Sequence, residues 1–215
     1  MWVEHALLWT EGMPILFRLA CLGFLTFVAS GPQDREVTLQ NGDVVLMASR
    51  SSRAPIIERA SRSPYSHVGL VEVTQQGVFV IEAIQPVSRT PFEKFKARAE
   101  DGKVTVLRAN DLDAKTLAKV VGAAKKELGK PYDARYRWDD ESLYCSELVV
   151  KAFERGAGIS VGKKERVRDL ALTKAELAIA KKLGIDPEQE LVTPGSLAND
   201  DHLSPLPGTA RGQGE

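Results

Sequence analysis

The chain has 215 residues, 43% of them hydrophobic, enough for one hydrophobic core and few enough to argue against several. Lys plus Arg and Asp plus Glu each number 29, so the formal charge is zero. That balance lacks the basic surplus of a nucleic-acid binder and the acidic surplus of a solvating tail. No internal repeat, heptad run or Gly-x-x-x-x-Gly-Lys phosphate loop occurs.

The N-terminus reads as an export signal. Met1 to Gly12 carries Glu4, His5 and Glu11 and no basic residue. Met13 opens a better pattern: Arg18 as the positive charge, the apolar run Leu19 to Ala29, and the small pair Ala29-Ser30. The run is short for a membrane span. Arg18 also stands where a lipoprotein signal at Cys21 would want an apolar residue. The expected organisation is therefore an extension and signal peptide over 1–30, one domain over 31–192 and an irregular tail over 193–215. Export to the periplasm or cell envelope of a bacterium follows, with membrane contact expected only through the N-terminal segment. Without residues 1–30 the chain keeps one cysteine, Cys145, and two histidines, His67 and His202. A single thiol cannot form an internal disulfide, so its presence in an oxidising compartment asks for a reason.

In chain order, Asn41-Gly42-Asp43 is a turn before a short strand, Val44 to Met47. Residues 48–63, rich in Ser and Arg, read as a loop with a helical turn. His67 to Val73, the turn Thr74 to Gly77 and Val78 to Ile84 form the clearest hairpin. A third strand is expected at Val104 to Leu107. The period then changes to helical over Lys115 to Leu128, with Gly129 as a stop. A second helix opens near Ser142 and ends at Gly156 or Gly158, and residues 163–183 read as a further helical segment. Strands followed by helices on one side give an α+β domain.

Cys145 falls in the first turn of the second helix, on the same face as Leu148, Val149, Ala152 and Phe153. Unpaired N–H groups and the helix dipole there favour a thiolate and can donate to an oxyanion. In the hairpin, pairing Val73 with Val78 sets Glu82 opposite Gly69 and diagonal to His67, on one face of the sheet. A carboxylate there orients the imidazole and favours its charged form. Taken singly, a thiol on a buried helix face ordinarily acts as a small apolar side chain, and a strand histidine beside a glutamate is ordinarily structural. Their conjunction carries the argument. Outside the signal and the tail the chain has one thiol, one imidazole and a carboxylate placed to orient it, the set that cysteine chemistry needs. One Cys and one His fall short of a zinc set, and no Gly-x-Ser-x-Gly offers a serine nucleophile. No cofactor or metal is expected.

Leu128-Gly129-Lys130-Pro131-Tyr132, running on to Tyr144-Cys145-Ser146-Glu147-Leu148-Val149, resembles the nucleophile segment of NlpC-type cysteine peptidases and amidases. Gly42-Asp43-Val44-Val45 and Ser66-His67-Val68-Gly69-Leu70 resemble the sheet motifs of that family. Here the strands precede the cysteine, an order that resembles the circularly permuted, YiiX/YebB-like branch and, more distantly, the lecithin–retinol acyltransferase-like proteins. The resemblance spans roughly residues 38–155, with weaker likeness through Thr193-Pro194-Gly195. It implies a permuted papain-like α+β fold, an antiparallel sheet with helices packed on one side. It also implies Cys145 as nucleophile, His67 as base, Glu82 as third polar group and Tyr132 beside the nucleophile as an oxyanion donor. Tyr144 stands where the standard branch often has Asp, and the Trp-Gly-Gly that often follows the family tyrosine is absent. By analogy the substrate is an amide or peptide bond of the cell envelope. A lipid acyl hydrolase or acyltransferase and a non-catalytic envelope binding module stay open.

Overall fold

The computed structural model describes residues 37–209, within one compact unit that begins at Glu36. The expected extension and signal peptide over 1–30 lie outside the described residues. Five strands come first: β1 (Val44–Met47), β2 (His67–Thr74), β3 (Gly77–Glu82), β4 (Ser88–Pro91) and β5 (Thr105–Ala109). β6 (Lys164–Arg166) and β7 (Glu190–Val192) pair as a separate ribbon, and β8 (Leu203–Pro205) returns to the main sheet. That sheet is six-stranded and antiparallel throughout, in the order β4-β3-β2-β1-β5-β8.

The period-2 pattern sorts the apolar residues between two faces. Val44, Leu46, Val68, Leu70 and Ile81 join one buried cluster with the helices α3 (Ala114–Lys125) and α4 (Cys145–Ala157). Val45, Met47, Val71, Val80 and Val106 join another, closed by Phe95 of the short helix α2 (Phe92–Lys96). Both long helices thus share one face, as expected, and the opposite face is sealed by a five-residue helix whose existence no periodicity announced. The helices α3 and α4 pack closely because Gly156 has no side chain: a Cβ there would stand 2.4 Å from the Val120 backbone. At the head of β1, Asp43 is fully buried and accepts two hydrogen bonds from Arg108, each 2.8 Å, which tie the turn to β5. A buried carboxylate requires such pairing.

Two expectations are corrected by the structure, and a third is met. Residues 163–183 are not one helix: β6 and a 3₁₀ turn precede α5 (Lys174–Lys182), whose cap is Thr173 with Glu176 three residues on. Lys, Arg and Ala favour helix intrinsically, and the pairing of Lys164–Arg166 with Glu190–Val192 overrides that preference. The helical turn expected within the loop at 48–63 is present as α1 (Ala54–Ala60), started by a proline in its first turn. Residues 193–205, expected as irregular, form α6 (Pro194–Ala198) and β8. Gly195 presses on Ser61, where a Cβ would meet the carbonyl oxygen at 2.5 Å, and Leu197 and Leu203 are buried. The Pro, Gly, Asp and Asn content of this stretch reflects tight packing and capping rather than disorder.

Candidate active site

β2 and β3 pair in the expected register, Val73 with Val78 through Leu70 with Ile81. His67 is therefore the first residue of β2 and Glu82 the last of β3, at the same end of the sheet. Gly69 leaves the room between them: a Cβ at Gly69 would lie 3.3 Å from that of Glu82 and 2.3 Å from the Val80 side chain. The His67 Nε2 and Glu82 Oε2 atoms are 2.6 Å apart, and the imidazole packs on the Phe95 ring at 5.7 Å between centroids. The other carboxylate oxygen accepts a hydrogen bond of 2.5 Å from Arg98, and the Thr90 side chain adds another bond. Burial alone would raise the Glu82 pKa; the bonds and charges of His67, Arg98 and Thr90 overcome it and hold the carboxyl at about 2.

Cys145 is the first residue of α4, with Tyr144 at the N-cap position. Two contacts fix that turn. The Tyr144 hydroxyl accepts the Val192 N–H at 3.0 Å, and the Glu147 carboxylate accepts the Tyr144 N–H at 3.4 Å. Glu147 is itself fully buried and paired with Lys151 at 2.7 Å, one turn along. Burial outweighs that partner and raises the Glu147 carboxyl to about 7. The Lys151 ammonium also pairs with Asp140 at 2.9 Å and donates to the Asp139 carbonyl, which clips the loop before the nucleophile to the helix that carries it.

The thiol hydrogen bonds His67. With Nε2 turned to Glu82, the remaining ring nitrogen, Nδ1, is the one free for sulfur. Burial would raise the Cys145 pKa and lower that of His67. Their mutual hydrogen bond and attraction reverse both effects. The thiol falls below its ordinary value, helped by the Ser146 backbone N–H, and the imidazole rises to about 9. In the neutral range this favours a thiolate and an imidazolium.

The expected fourth residue, Tyr132, is brought to the same place by an isolated bridge to Leu143, two residues before the cysteine. Its N–H donates to Gln85 Oε1 at 2.7 Å. Its hydroxyl bonds that of Tyr136, which also meets the Arg53 guanidinium, and both tyrosines feel the charge on Cys145. Burial raises the pKa of both phenols, so they stay protonated donors. Tyr136 has φ 55°, a left-handed conformation that costs an L-residue of order 1 kcal/mol and recurs at functional sites.

The structure thus gathers Cys145, His67, Glu82 and Tyr132, and adds Arg98, Thr90, Ser146, Tyr136 and Arg53, which the sequence did not single out. For Arg98 and Thr90 no sequence signal exists, because their approach to Glu82 depends on how β4 and the segment after α2 pack. Tyr136 carried a weak one, a second tyrosine four residues after Tyr132.

Cys145 is only 5% exposed, and it lines a cavity of about 390 Å³. α1, α5, the Tyr132–Tyr144 loop and β7 supply the walls, with side chains such as Ile57, Leu170, Leu172, Ile179 and Ile185. The volume lies in the range of small-molecule sites.

A sheet-borne imidazole held by a carboxylate, meeting a thiol at the start of a buried helix, defines the class of papain-like cysteine hydrolases, and here the strands precede the helix. The chain belongs to the family described as permuted papain-like amidase enzymes, YaeF/YiiX, C92, whose model matches residues 38–206. It is 32% identical over 170 residues to the uncharacterized protein YiiX of Escherichia coli K12, covering 77% of this chain and 84% of that one. The crystal structure of a protein described as metalloprotein yiiX from Escherichia coli O157:H7 superposes with a TM-score of 0.74 at 32% identity. That match covers 80% of this chain and 97% of the other. The chain is accordingly a cysteine hydrolase of the peptidase and amidase type.

Proposed function

We propose that this hydrolase is exported and cleaves an amide bond of a cell-envelope substrate, with Cys145 as nucleophile, His67 as general acid and base, and Glu82 as the group that orients the imidazole. The observation that carries the reading is the Cys145–His67–Glu82 chain of hydrogen bonds, closed behind Glu82 by Arg98. The Cys145 thiolate attacks the carbonyl carbon, and a C–S bond forms as the carbonyl becomes an oxyanion. Backbone N–H groups at the start of α4 and the Tyr132 hydroxyl stabilise that oxyanion. His67 passes its proton to the departing nitrogen as the C–N bond breaks, leaving a thioester. Water, deprotonated by the now neutral His67, attacks the thioester; the acid departs and the thiolate with its imidazolium is restored.

The Escherichia coli relative is described as a metalloprotein. The donors among the described residues do not suit a metal. No group of three His, Cys, Asp or Glu is arranged for one among the described residues, and both Glu82 oxygens are committed to His67 and Arg98. No step is routed through a metal.

The cavity favours a second reading of the substrate. Its aliphatic lining supports an acyl chain as the group next to the scissile carbonyl, as in a lipid acyl hydrolase. At about 30 Å³ for each water-sized group, it holds on the order of a dozen methylenes. Incubation with muropeptides and, separately, with phospholipid and N-acyl amino acids separates the readings. Peptide products that vanish in Cys145→Ala support the first, and fatty-acid release that vanishes in the same variant supports the second. A wild-type protein that converts none of them would leave a binding module instead, and products that persist in the variant would place the chemistry on another residue.

A further inference from the structure

The four exposed large apolar side chains among the described residues are Ile56, Leu128, Ile179 and Leu183. Three of them, Ile56 at 37%, Ile179 at 55% and Leu183 at 63%, stand together on the rim of the Cys145 cavity. A soluble surface scatters such residues singly, so their grouping marks a contact face. Ile179 belongs to α5, and Leu183 follows that helix directly. No α5 residue is buried; the helix is held by partly buried Leu177 and Ala180 and by the pair between Glu176 and Arg59 of α1.

The unpaired charges around this rim are mostly basic. Lys174, Lys181 and Lys182 lie on α5, and Arg53 and Arg135 line the cavity. None of the five forms an ion pair with a carboxylate among the described residues. Of the acidic groups nearby, Glu176 pairs with Arg59, Glu188 with Arg168 and Glu165 with Arg62, while the exposed Asp186 and Glu190 form no ion pair among the described residues. Although the formal charge of the chain is zero, unpaired basic side chains flank the apolar patch at the cavity that its nucleophile lines.

We infer that this rim docks on the surface of an anionic lipid bilayer, with Ile56, Ile179 and Leu183 entering the headgroup boundary and the five cations meeting lipid phosphates and carboxylates. An apolar face flanked by basic side chains suits that interface, where buried apolar area and attraction to anionic lipid add. The contact is a second one, apart from any that the N-terminal segment makes. It does not depend on the acyl-transfer chemistry, and it would bring the cavity mouth to envelope substrates that lie at a membrane.

The test uses the full chain with phosphatidylglycerol/phosphatidylcholine vesicles and with phosphatidylcholine vesicles alone. Sedimentation is expected to show binding to the anionic vesicles that weakens with salt. Hydrogen exchange at residues 174–183 is expected to slow in their presence, a readout local to the rim. Removing both charges in Lys181→Gln/Lys182→Gln should lower the affinity about fivefold per lysine. That variant should leave turnover of a soluble ester unchanged. Ile179→Glu/Leu183→Glu should abolish the exchange protection. Cys145→Ala should bind as wild type does, so a failure of the catalytic reading leaves this result standing. Exchange at 174–183 that ignores anionic vesicles would overturn the inference. So would affinity unchanged in both double variants, or protection explained by self-association in the absence of lipid.

Discussion

Cys145→Ala is expected to lower turnover by at least about 10⁴-fold while leaving the fold in place. The thiol is the sole nucleophile in the cavity that also meets the His67 ring, and acyl transfer has no second route once sulfur is gone. Cys145 is small and mostly buried, so its truncation costs on the order of 1 kcal/mol of stability. Cys145→Ser should be nearly as inactive, because an alcohol in that position lies far above the range in which His67 can hold it as an anion. The variants also report on the imidazole. Cys145 contributes both a hydrogen bond and a charge to the raised His67 pKa of about 9, so without it the ring should titrate lower. Hydrolysis by Cys145→Ala at the wild-type rate, with the same products, would place the chemistry elsewhere.

Glu82→Gln is expected to reduce kcat/KM by about 10²-fold and to destabilise the protein by about 2–3 kcal/mol at neutral pH. Glu82 is fully buried and sits between an imidazole at 2.6 Å and a guanidinium at 2.5 Å. The amide keeps the shape and removes the charge. The His67 imidazolium then lacks one of its two buried counter-ions and keeps only the Cys145 thiolate, so its pKa should fall. Linkage fixes the sign of the stability effect. The Glu82 carboxyl stands at about 2 in the folded chain against an ordinary 4.5, so its contribution is present above 4.5 and is lost as pH falls through about 2. The difference in Tm between wild type and Glu82→Gln should therefore narrow on acidification. Kinetics at neutral pH together with melting curves at neutral and acidic pH check both halves. Full activity in the variant would reduce Glu82 to a bystander.

Much of this arrangement was legible in the residues. The apolar runs Val44–Met47 and His67–Val73 marked the strands, the Thr74–Gly77 turn set the register, and the register put His67 and Glu82 on one face. The helix start at Cys145 could be read because apolar residues recur at helical spacing after it and Gly158 stops it in a left-handed conformation. What stayed hidden is set by packing rather than period. β4, β6, β7 and β8 are three or four residues long, too short for alternation to register, and exist because a partner strand offers its edge. The Arg98 guanidinium reaches Glu82 from a segment without a periodic signal. The cavity walls join α1 and α5, separated by more than a hundred positions, so no local pattern could announce an aliphatic pocket beside the thiol.

The pairing of sulfur with imidazole is tested most directly by the rate of iodoacetamide alkylation at Cys145 as a function of pH, followed on the peptide that carries it, in wild type and in His67→Ala. In wild type the thiol pKa is depressed by His67 and Ser146, so alkylation should already reach its plateau below the pH at which an ordinary thiol ionises. In His67→Ala burial dominates, and the midpoint should move to the ordinary thiol value or above it. Coincident profiles in the two proteins, both with the midpoint of a free thiol, would contradict the ion pair and the mechanism built on it.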